Sequence, residues 1–222
     1  MLKIGLTGGI ACGKTLVGEM FAGLGAHLVQ ADRIAHELML PGRPVYNEVV
    51  RHFGREILNP NMTVNRTRLA EVAFGSEASH DSPTSPMKSE HAPLAARFEE
   101  LNRIVHPAVI RAQEEWMEEI GRYDPHAIAM VEAALIIEAG AGKRFDRLIM
   151  VTCAGEQRVP RFAARQKIDF ETARKEVGRR MAAQLPDAEK IKAADFVIDN
   201  SGTLEHTREQ VLTVWERLRS EA

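Results

Sequence analysis

A glycine-rich segment, GGIACGKT at residues 8–15, follows the first apolar run of the chain. It fits the pattern G-x-x-x-x-G-K-[ST], in which glycines let backbone amides curl around a phosphate at the positive N-terminus of a helix. In that pattern Lys14 bridges the β- and γ-phosphates, and the Thr15 hydroxyl holds Mg²⁺. The segment therefore predicts a nucleoside-triphosphate site. Its predicted contact residues are Gly8, Gly9, Ala11, Cys12, Gly13, Lys14, Thr15 and Leu16.

A carboxylate follows the second predicted strand, in the sequence Gln30-Ala31-Asp32. The carboxyl ends of strands face the ligand crevice in open α/β sheets, so Asp32 could accept the proton of an attacking hydroxyl. The alternative is that Asp32 caps a helix that begins at Arg33, which would contribute about 1 kcal/mol of stability. Position alone leaves both interpretations open.

A basic segment near the C-terminus adds further charge, with eight Lys or Arg against four Asp or Glu between residues 156 and 182. Arg158, Arg161 and Arg165 recur at helical spacing and predict one cationic face, and Arg180 with Gln184 predicts a second polar pair at i, i+4. A solvated helix face is the usual explanation of such a pattern. Together with a phosphate loop, however, it favours a mobile lid that brings cations to the γ-phosphate and excludes water.

The elements that must position these residues alternate between strand and helix. Five short aliphatic segments predict buried parallel strands, at residues 2–6, 26–30, 127–132, 147–152 and 195–198. Between them, apolar residues recur at helical spacing. The three clearest stripes are Val17, Met20, Phe21 and Leu24, then Val109, Ala112, Trp116 and Ile120, then Val211, Val214, Trp215 and Leu218. The pattern predicts an α/β protein with a doubly wound parallel sheet.

Two long gaps interrupt this alternation and define the predicted domains. Residues 33–107 predict a mainly helical insertion, and residues 156–190 predict the lid. Residues 1–32, 108–155 and 191–222 then form the nucleotide-binding core. Within the insertion, residues 75–93 are rich in Ser and Pro and predict a mobile surface loop, in which His80 and His91 are exposed rather than metal ligands.

The overall composition excludes several classes of protein. The chain has 222 residues and a net charge of −2, which does not indicate a nucleic acid or an anionic membrane as partner. Two cysteines are too few for a disulfide framework and suit a reducing compartment. The longest apolar stretch, residues 127–137, contains Glu132 and is too short to cross a membrane. We therefore expect a cytoplasmic protein.

Two smaller features have mainly local interpretations. The segment LPGRP at residues 40–44 predicts a turn that acts as a rigid connector. His106 precedes Pro107, which predicts an extended backbone at the histidine.

Motifs spread over nearly the whole chain resemble those of the dephospho-coenzyme A kinases and occur in the same order. They are GLTGGI at 5–10, AD-x-IAH at 31–36, PG at 41–42, FG at 53–54, LN-x-IVHP at 101–107, LIIE at 135–138, R-x-x-x-R at 161–165, R-x-x-x-Q at 180–184 and ADFVIDNSG at 194–202.

The resemblance implies a P-loop NTPase of the nucleoside-kinase type, with a five-stranded parallel sheet, a helical domain for the coenzyme A portion and a lid. It implies transfer of the ATP γ-phosphate, with Mg²⁺, to the ribose 3′-hydroxyl of dephospho-coenzyme A. Asp32 would be the base or orient the hydroxyl, with His36 and His106 on the acceptor side. Lys14, Arg161 and Arg165 would act on the phosphate. Arg180, Gln184 and Asn200 would bind the adenine end.

The chain departs from the family pattern at three places. The family usually has Asp at the position of Gln30, so any support from that carboxylate is lost. It usually has Gly-Ser at the position of Ala11-Cys12, and Ala11 reduces backbone freedom there. Residues 75–93 also look longer than the usual connection.

Cys12 invites a separate hypothesis. Its thiol lies beside a helix N-terminus and Lys14, which should lower its pKa and make it oxidisable. The plainer interpretation is that Cys12 is a small substitute for Ser.

Three other functions deserve comparison. A GTP switch would need Asp-x-x-Gly followed by Asn-Lys-x-Asp, but DNSG at 199–202 comes after QKID at 166–169, which also lacks the Asn. A non-catalytic ATP-binding regulator would need neither Asp32 nor lid arginines. Another small-molecule kinase of the same architecture, for adenylate, shikimate or a nucleoside, is the main alternative, because a fold does not choose its acceptor. No protein partner is predicted.

Overall fold

The computed structural model describes residues 1–74 and 94–222. The predicted surface loop at residues 75–93, with His80 and His91, lies outside the described residues.

Five parallel strands form a single sheet, as predicted. They are β1 (Leu2–Gly8), β2 (His27–Gln30), β3 (Ile128–Glu132), β4 (Arg147–Thr152) and β5 (Phe196–Asp199), and their order is β2-β3-β1-β4-β5. In register, Glu132 is level with Leu6 and with Gln30. The carboxyl end of β3 therefore lies beside the point where β1 runs into residues 8–15.

Helices connect and flank these strands. Those of the sheet unit are α1 (Lys14–Leu24), α6 (Gly155–Gln166), α7 (Phe170–Ala182), α8 (Asp187–Ala193) and α9 (Leu204–Glu221). The remaining helices are α2 (Ala31–Leu38), α3 (Pro44–Phe53), α4 (Arg66–Phe74) and α5 (Leu94–Tyr123), with a 3₁₀ turn at Arg55–Ile57. The turn predicted at residues 40–44 is found at residues 39–43, because Pro44 begins α3.

The described chain consists of two compact units, and the first comprises Met1–Ala31 and Glu115–Ala222. Successive residues of its strands alternate between the two faces of the sheet. Met130 packs on the face covered by α1 and α9, while Ala129 and Val131 pack with Met117 of α5 on the other. The apolar stripes predicted for α1 and α9 pack on this sheet.

The second unit comprises Asp32–Glu114 and has its own core. Its buried residues are Val45, Tyr46, Val49, Phe53, Ile57, Leu58, Leu69 and Ala73. Within the described part of this unit, strand pairing is limited to an isolated bridge between Leu58 and Val64.

The structure overturns one predicted local conformation, at His106, and one of the two alternatives for Asp32. His106 is helical rather than extended, because Pro107 lies inside α5, where Ile104, Val105 and Ala108 pack on the core. This packing outweighs the preference of a residue before proline for extended backbone. In addition, α2 begins at Ala31, so Asp32 lies in its first turn and is not the cap of a helix that begins at Arg33.

Within residues 1–74 and 94–222, no helix has both the length and the apolar character needed to cross a membrane.

Candidate active site

The phosphate loop, residues 8–15, connects β1 to α1. Gly13 precedes α1 with φ +87°, and a Cβ atom there would lie 2.3 Å from Asn200 Nδ2. Both the left-handed backbone and the close approach therefore require glycine. Among the described residues, no side chain caps this helix N-terminus. Its first amides thus remain available to phosphate oxygens.

Lys14 and Thr15 lie side by side at the start of α1. Lys14 Nζ donates to the carbonyl oxygens of Gly8 at 2.9 Å and Gly9 at 3.1 Å. Thr15 Oγ1 donates to Glu132 Oε1 at 2.7 Å, and Glu132 Oε2 is buried without a partner among the described residues. The end of β3 thus places an unsatisfied carboxylate oxygen beside the loop hydroxyl.

Positive charge is concentrated at this loop. Burial lowers the pKa of Lys14 because the ammonium group loses its water, and the Glu132 carboxylate opposes the shift. Lys190 and Arg165 are near enough to lower the same pKa by repulsion. Such an arrangement suits a polyanion such as a triphosphate, which would relieve the repulsion on binding.

A cavity of about 330 Å³ opens beside the loop within the first unit. It is lined by Ala11, Gly13, Leu16, Arg161, Arg165, Asn200, Gly202 and Leu204. The structure therefore brings together six predicted site residues from three separate stretches of sequence, and Gly202 and Leu204 join them.

The spacing of the three arginines of α6 predicted one cationic face, but the structure divides them between two environments. Arg158 is buried and forms an ion pair with Asp187 of α8. Arg161 Nη2 donates to the carbonyl oxygen of Asn200 at 3.0 Å, while its Nη1 is buried without a partner among the described residues. Only Arg161 and Arg165 of the three line the cavity, because α6 turns Arg158 behind the loop.

The predicted helical pair of Arg180 and Gln184 is wrong, because α7 ends at Ala182. Arg180 pairs with Glu176 at 2.6 Å, and its guanidinium lies 5.4 Å from the centre of the Phe162 ring. Gln184 Oε1 accepts a hydrogen bond from Lys190 Nζ at 2.9 Å. Among the described residues, the cavity lining includes neither of the two. Their contact with a nucleotide stays a prediction.

Asn200 stabilises the phosphate loop through a hydrogen bond to the loop backbone. Its Nδ2 donates to the carbonyl oxygen of Cys12 at 3.0 Å, and its Oδ1 accepts from Thr207 Oγ1 at 2.9 Å. Both Asn200 and Thr207 are buried. Both polar atoms of the Asn200 side chain are therefore hydrogen-bonded within the protein, although Asn200 also lines the cavity.

The predicted lowering of the Cys12 pKa is wrong. The Cys12 thiol is fully buried and lies 3.2 Å from Cys153 Sγ. The hydrogen bond to Cys153 and burial both raise the pKa of Cys12. By contrast, the pKa of Cys153 is lowered to about 6, first by its hydrogen bond with Cys12 and further by the positive charge of Arg158.

The predicted acceptor-side residues belong to the second unit and are described within it. Asp32 lies in the first turn of α2, immediately after β2 and Ala31, and is exposed. His36 is exposed in the last turn of the same helix, and His106 is exposed on α5. Their roles stay predictions.

The sequence interpretation missed Glu132 and Thr207. Glu132 was noted only as a charge within an apolar stretch. The available signal was its position, since an acidic residue at the carboxyl end of a buried strand faces the ligand edge of the sheet. Thr207 carried no such signal, because a threonine in the first turn of a helix is common.

Comparison with known proteins supports a specific family. A family model described as dephospho-CoA kinase matches residues 2–84 and 94–206. The dephospho-CoA kinase of Aquifex aeolicus is 36% identical over 98% of each chain. That of Geobacter metallireducens is 38% identical and covers 97% of this chain and 96% of its own.

Solved structures agree on the fold. The protein TT1252 from Thermus thermophilus superposes with a TM-score of 0.75 at 27% identity, covering 97% of this chain and 96% of its own. The dephospho-CoA kinase from Campylobacter jejuni gives a TM-score of 0.66 at 22% identity, covering 99% and 98%. The match to the family model over most of the chain, together with nearly full-length relatives above 30% identity, shows that the chain belongs to the dephospho-CoA kinase family.

Proposed function

We propose that this protein transfers the γ-phosphate of ATP to the ribose 3′-hydroxyl of dephospho-coenzyme A, which yields coenzyme A and ADP. The main support is the cavity beside the phosphate loop, which is lined by Arg161 and Arg165, together with the charge of Lys14 in that loop, in a chain of this kinase family. Two free thiols also suit work in a reducing cytoplasm.

In the proposed reaction, the 3′-oxygen forms a bond to the γ-phosphorus while the bond to the β–γ bridging oxygen breaks. Asp32 orients the 3′-hydroxyl and takes its proton, and Lys14 neutralises charge on the β- and γ-phosphates. The unpartnered Nη1 of Arg161 is a donor suited to an equatorial oxygen of the transferred group.

Thr15 and Glu132 would hold the Mg²⁺ ion that accompanies ATP. A P-loop hydroxyl and a carboxylate from a neighbouring strand are the usual protein contributions to such an ion, and the buried, unsatisfied Oε2 of Glu132 suits a cation or its bound water. When bound, Mg²⁺ would neutralise the β- and γ-phosphate oxygens. In the described part of the chain, no three His, Cys, Asp or Glu side chains cluster to form a protein-only metal site.

The roles of the two insertions belong to the same proposal. Residues 33–107 would bind the coenzyme A portion of the acceptor. Residues 156–190 would act as a lid, because they carry the two cavity arginines on α6.

Turnover with different acceptors tests the function directly. Purified protein with Mg²⁺ and ATP is expected to convert dephospho-coenzyme A to coenzyme A, detected by mass spectrometry. Adenosine, AMP and shikimate serve as comparison acceptors. Rapid phosphorylation of one of these, with no turnover of dephospho-coenzyme A, would favour another small-molecule kinase of this fold.

The variant Asp32→Asn tests the mechanism separately. Loss of the proton acceptor should lower kcat by at least about 10². Glu37→Gln is the matched control, because it removes one exposed carboxylate from the same helix and should retain normal kcat. An Asp32→Asn enzyme with wild-type kcat would reject Asp32 as the base and leave the acceptor assignment intact.

A further inference from the structure

The two cysteines of the chain meet behind the phosphate loop. Cys12 lies within the loop, and Cys153 follows β4. Their sulfur atoms are 3.2 Å apart although the residues are 141 positions apart in sequence. A disulfide requires a sulfur separation of about 2.0 Å, so a displacement of about 1.2 Å would bring the pair to bonding distance.

We propose that Cys12 and Cys153 are a modification site at which a hydroperoxide forms a reversible disulfide, and that this bond weakens ATP binding by the phosphate loop. The nucleotide site already described does not need this chemistry. Neither thiol lines the cavity, and Cys12 contributes to the loop through its backbone.

The surroundings of the pair favour Cys153 as the sulfur that reacts first. Cys153 has 6% of its surface exposed and Cys12 has none, so a small oxidant reaches Cys153 before Cys12. Arg158 and Arg161 of α6 place positive charge near Cys153, and Asp187 of α8 balances Arg158. The thiolate is the nucleophilic form, and the hydrogen bond with Cys12 and the nearby charges of Arg158 and Arg161 lower the pKa of Cys153 and so favour this form.

The reaction proceeds in two steps. The Cys153 thiolate attacks one oxygen of hydrogen peroxide, the O–O bond breaks, and a sulfenic acid and hydroxide result. The Cys12 sulfur then attacks the sulfenic sulfur, and the hydroxyl group leaves as water with the proton of the Cys12 thiol. The proton that Cys153 released on forming its thiolate neutralises the hydroxide, so in sum two thiols lose two electrons and two protons, and the peroxide is reduced to two molecules of water.

The disulfide would affect ATP because the loop has little room to move. An atom at the Cβ position of Gly9 would lie 3.1 Å from Cys12 Sγ and 3.0 Å from Arg158 Nη1. On the other side, Asn200 holds the Cys12 carbonyl. Drawing the Cys12 sulfur towards Cys153 therefore shifts a backbone whose amides must surround a phosphate. Amides that are displaced from the phosphate oxygens form weaker hydrogen bonds to them, so the affinity for ATP falls.

The test uses the full chain, reduced and then exposed to hydrogen peroxide in the absence of free thiols. Peptide mapping under non-reducing conditions should show a cross-linked pair of peptides containing Cys12 and Cys153, with a mass about 2 Da below that of the two thiol peptides. The Kd for ATP, measured by calorimetry, should rise at least about tenfold, and dithiothreitol should restore it. ATP binding is measured without an acceptor, so the result is independent of the proposed reaction.

Cys153→Ser is the control, because it removes one sulfur outside the nucleotide site. It should bind ATP like the reduced wild type, both before and after peroxide. Cys153→Ala replaces it if the serine variant folds poorly. The proposal is overturned if wild-type protein forms no Cys12–Cys153 cross-link, if the cross-linked protein binds ATP normally, or if the control loses affinity as the wild type does.

Discussion

At the scale of single residues, left-handed backbone occurs at three non-glycine positions within the described chain. Ala11, Met62 and Lys167 have φ values of 56°, 65° and 55°. This conformation costs an ordinary L-residue about 1–2 kcal/mol, because its Cβ approaches the following carbonyl oxygen. Ala11 is one of the departures from the family pattern, and the structure shows that the substitution retains the backbone conformation typical of glycine.

The variant Lys167→Gly tests the free-energy cost of this left-handed backbone. Lys167 is exposed and ends α6, where its amide donates to the carbonyl of Ala163. Lys167→Gly should relieve the strain, but the greater conformational freedom of glycine also stabilises the unfolded chain by about 0.4–1 kcal/mol. The free energy of unfolding should therefore rise by about 0.5–1 kcal/mol. Thermal unfolding should then shift upward by about 1–4 °C.

Lys175→Gly is the matched control, since Lys175 is exposed within α7 and the same charge is removed. There glycine should lower stability by about 1 kcal/mol, because it loses more backbone entropy in a helix. Equal shifts in the two variants would contradict a strained backbone at Lys167.

The predicted site residues that the structure brings together at the loop are mostly contiguous in sequence. The phosphate loop is local, because its glycines, Lys14 and Thr15 all belong to one strand–helix turn. The partners that complete it are distant in sequence. Glu132 contacts Thr15 over 117 positions, and Cys153 contacts Cys12 over 141. For the same reason the pKa of Cys12 was misjudged, since the helix N-terminus and Lys14 were visible in the sequence and the second thiol was not.

At the scale of elements, spacing identified helices but not the side of each helix that faces inward. The helical spacing of Arg158, Arg161 and Arg165 predicted one cationic face. In the packed structure, Arg158 forms a buried ion pair, whereas Arg161 and Arg165 line the cavity. Apolar stripes were more reliable. Those of α1 and α9 pack on the sheet because a hydrophobic stripe has one favourable position, whereas an arginine can be solvated or paired.

The start of α9 supports the phosphate loop through Asn200. Thr207 Oγ1 satisfies Asn200 Oδ1, which orients the amide so that Nδ2 faces the carbonyl of Cys12. Thr207→Val keeps the shape of the side chain and removes the donor, which leaves a buried oxygen unsatisfied at a cost of about 1–3 kcal/mol. We expect the KM for ATP to rise about tenfold, with kcat changed less than about threefold.

Thr207→Ser is the rescue variant, because it retains the hydroxyl and loses one methyl group. Steady-state kinetics with ATP as the varied substrate should give a KM close to that of the wild type. If the valine and serine variants have the same KM for ATP, Thr207 contributes to packing alone and does not position the loop.

At the scale of the whole molecule, each of the two units has its own buried core. The first contains the sheet with the helices around it, and the second contains the cluster around Val49 and Ile57. The structure divides after residues 31 and 114, whereas the sequence suggested an insertion at residues 33–107. Because α5 continues from residue 94 to residue 123, no break in the helical pattern marks the second division.

Separate cores imply separate local stability, which hydrogen exchange can measure for each ligand. A ligand at 100 times its Kd stabilises the part that binds it by about 2.7 kcal/mol, so its core amides should exchange about 100-fold more slowly. If the proposed roles are right, ATP alone should protect β1, α1 and the start of α9, and dephospho-coenzyme A alone should protect α3 and α4. Lys14→Met should abolish the protection by ATP and retain that by dephospho-coenzyme A, because Lys14 lies in the first unit. Equal protection of α3 and the phosphate loop by ATP alone would contradict the assignment of the acceptor to residues 33–107.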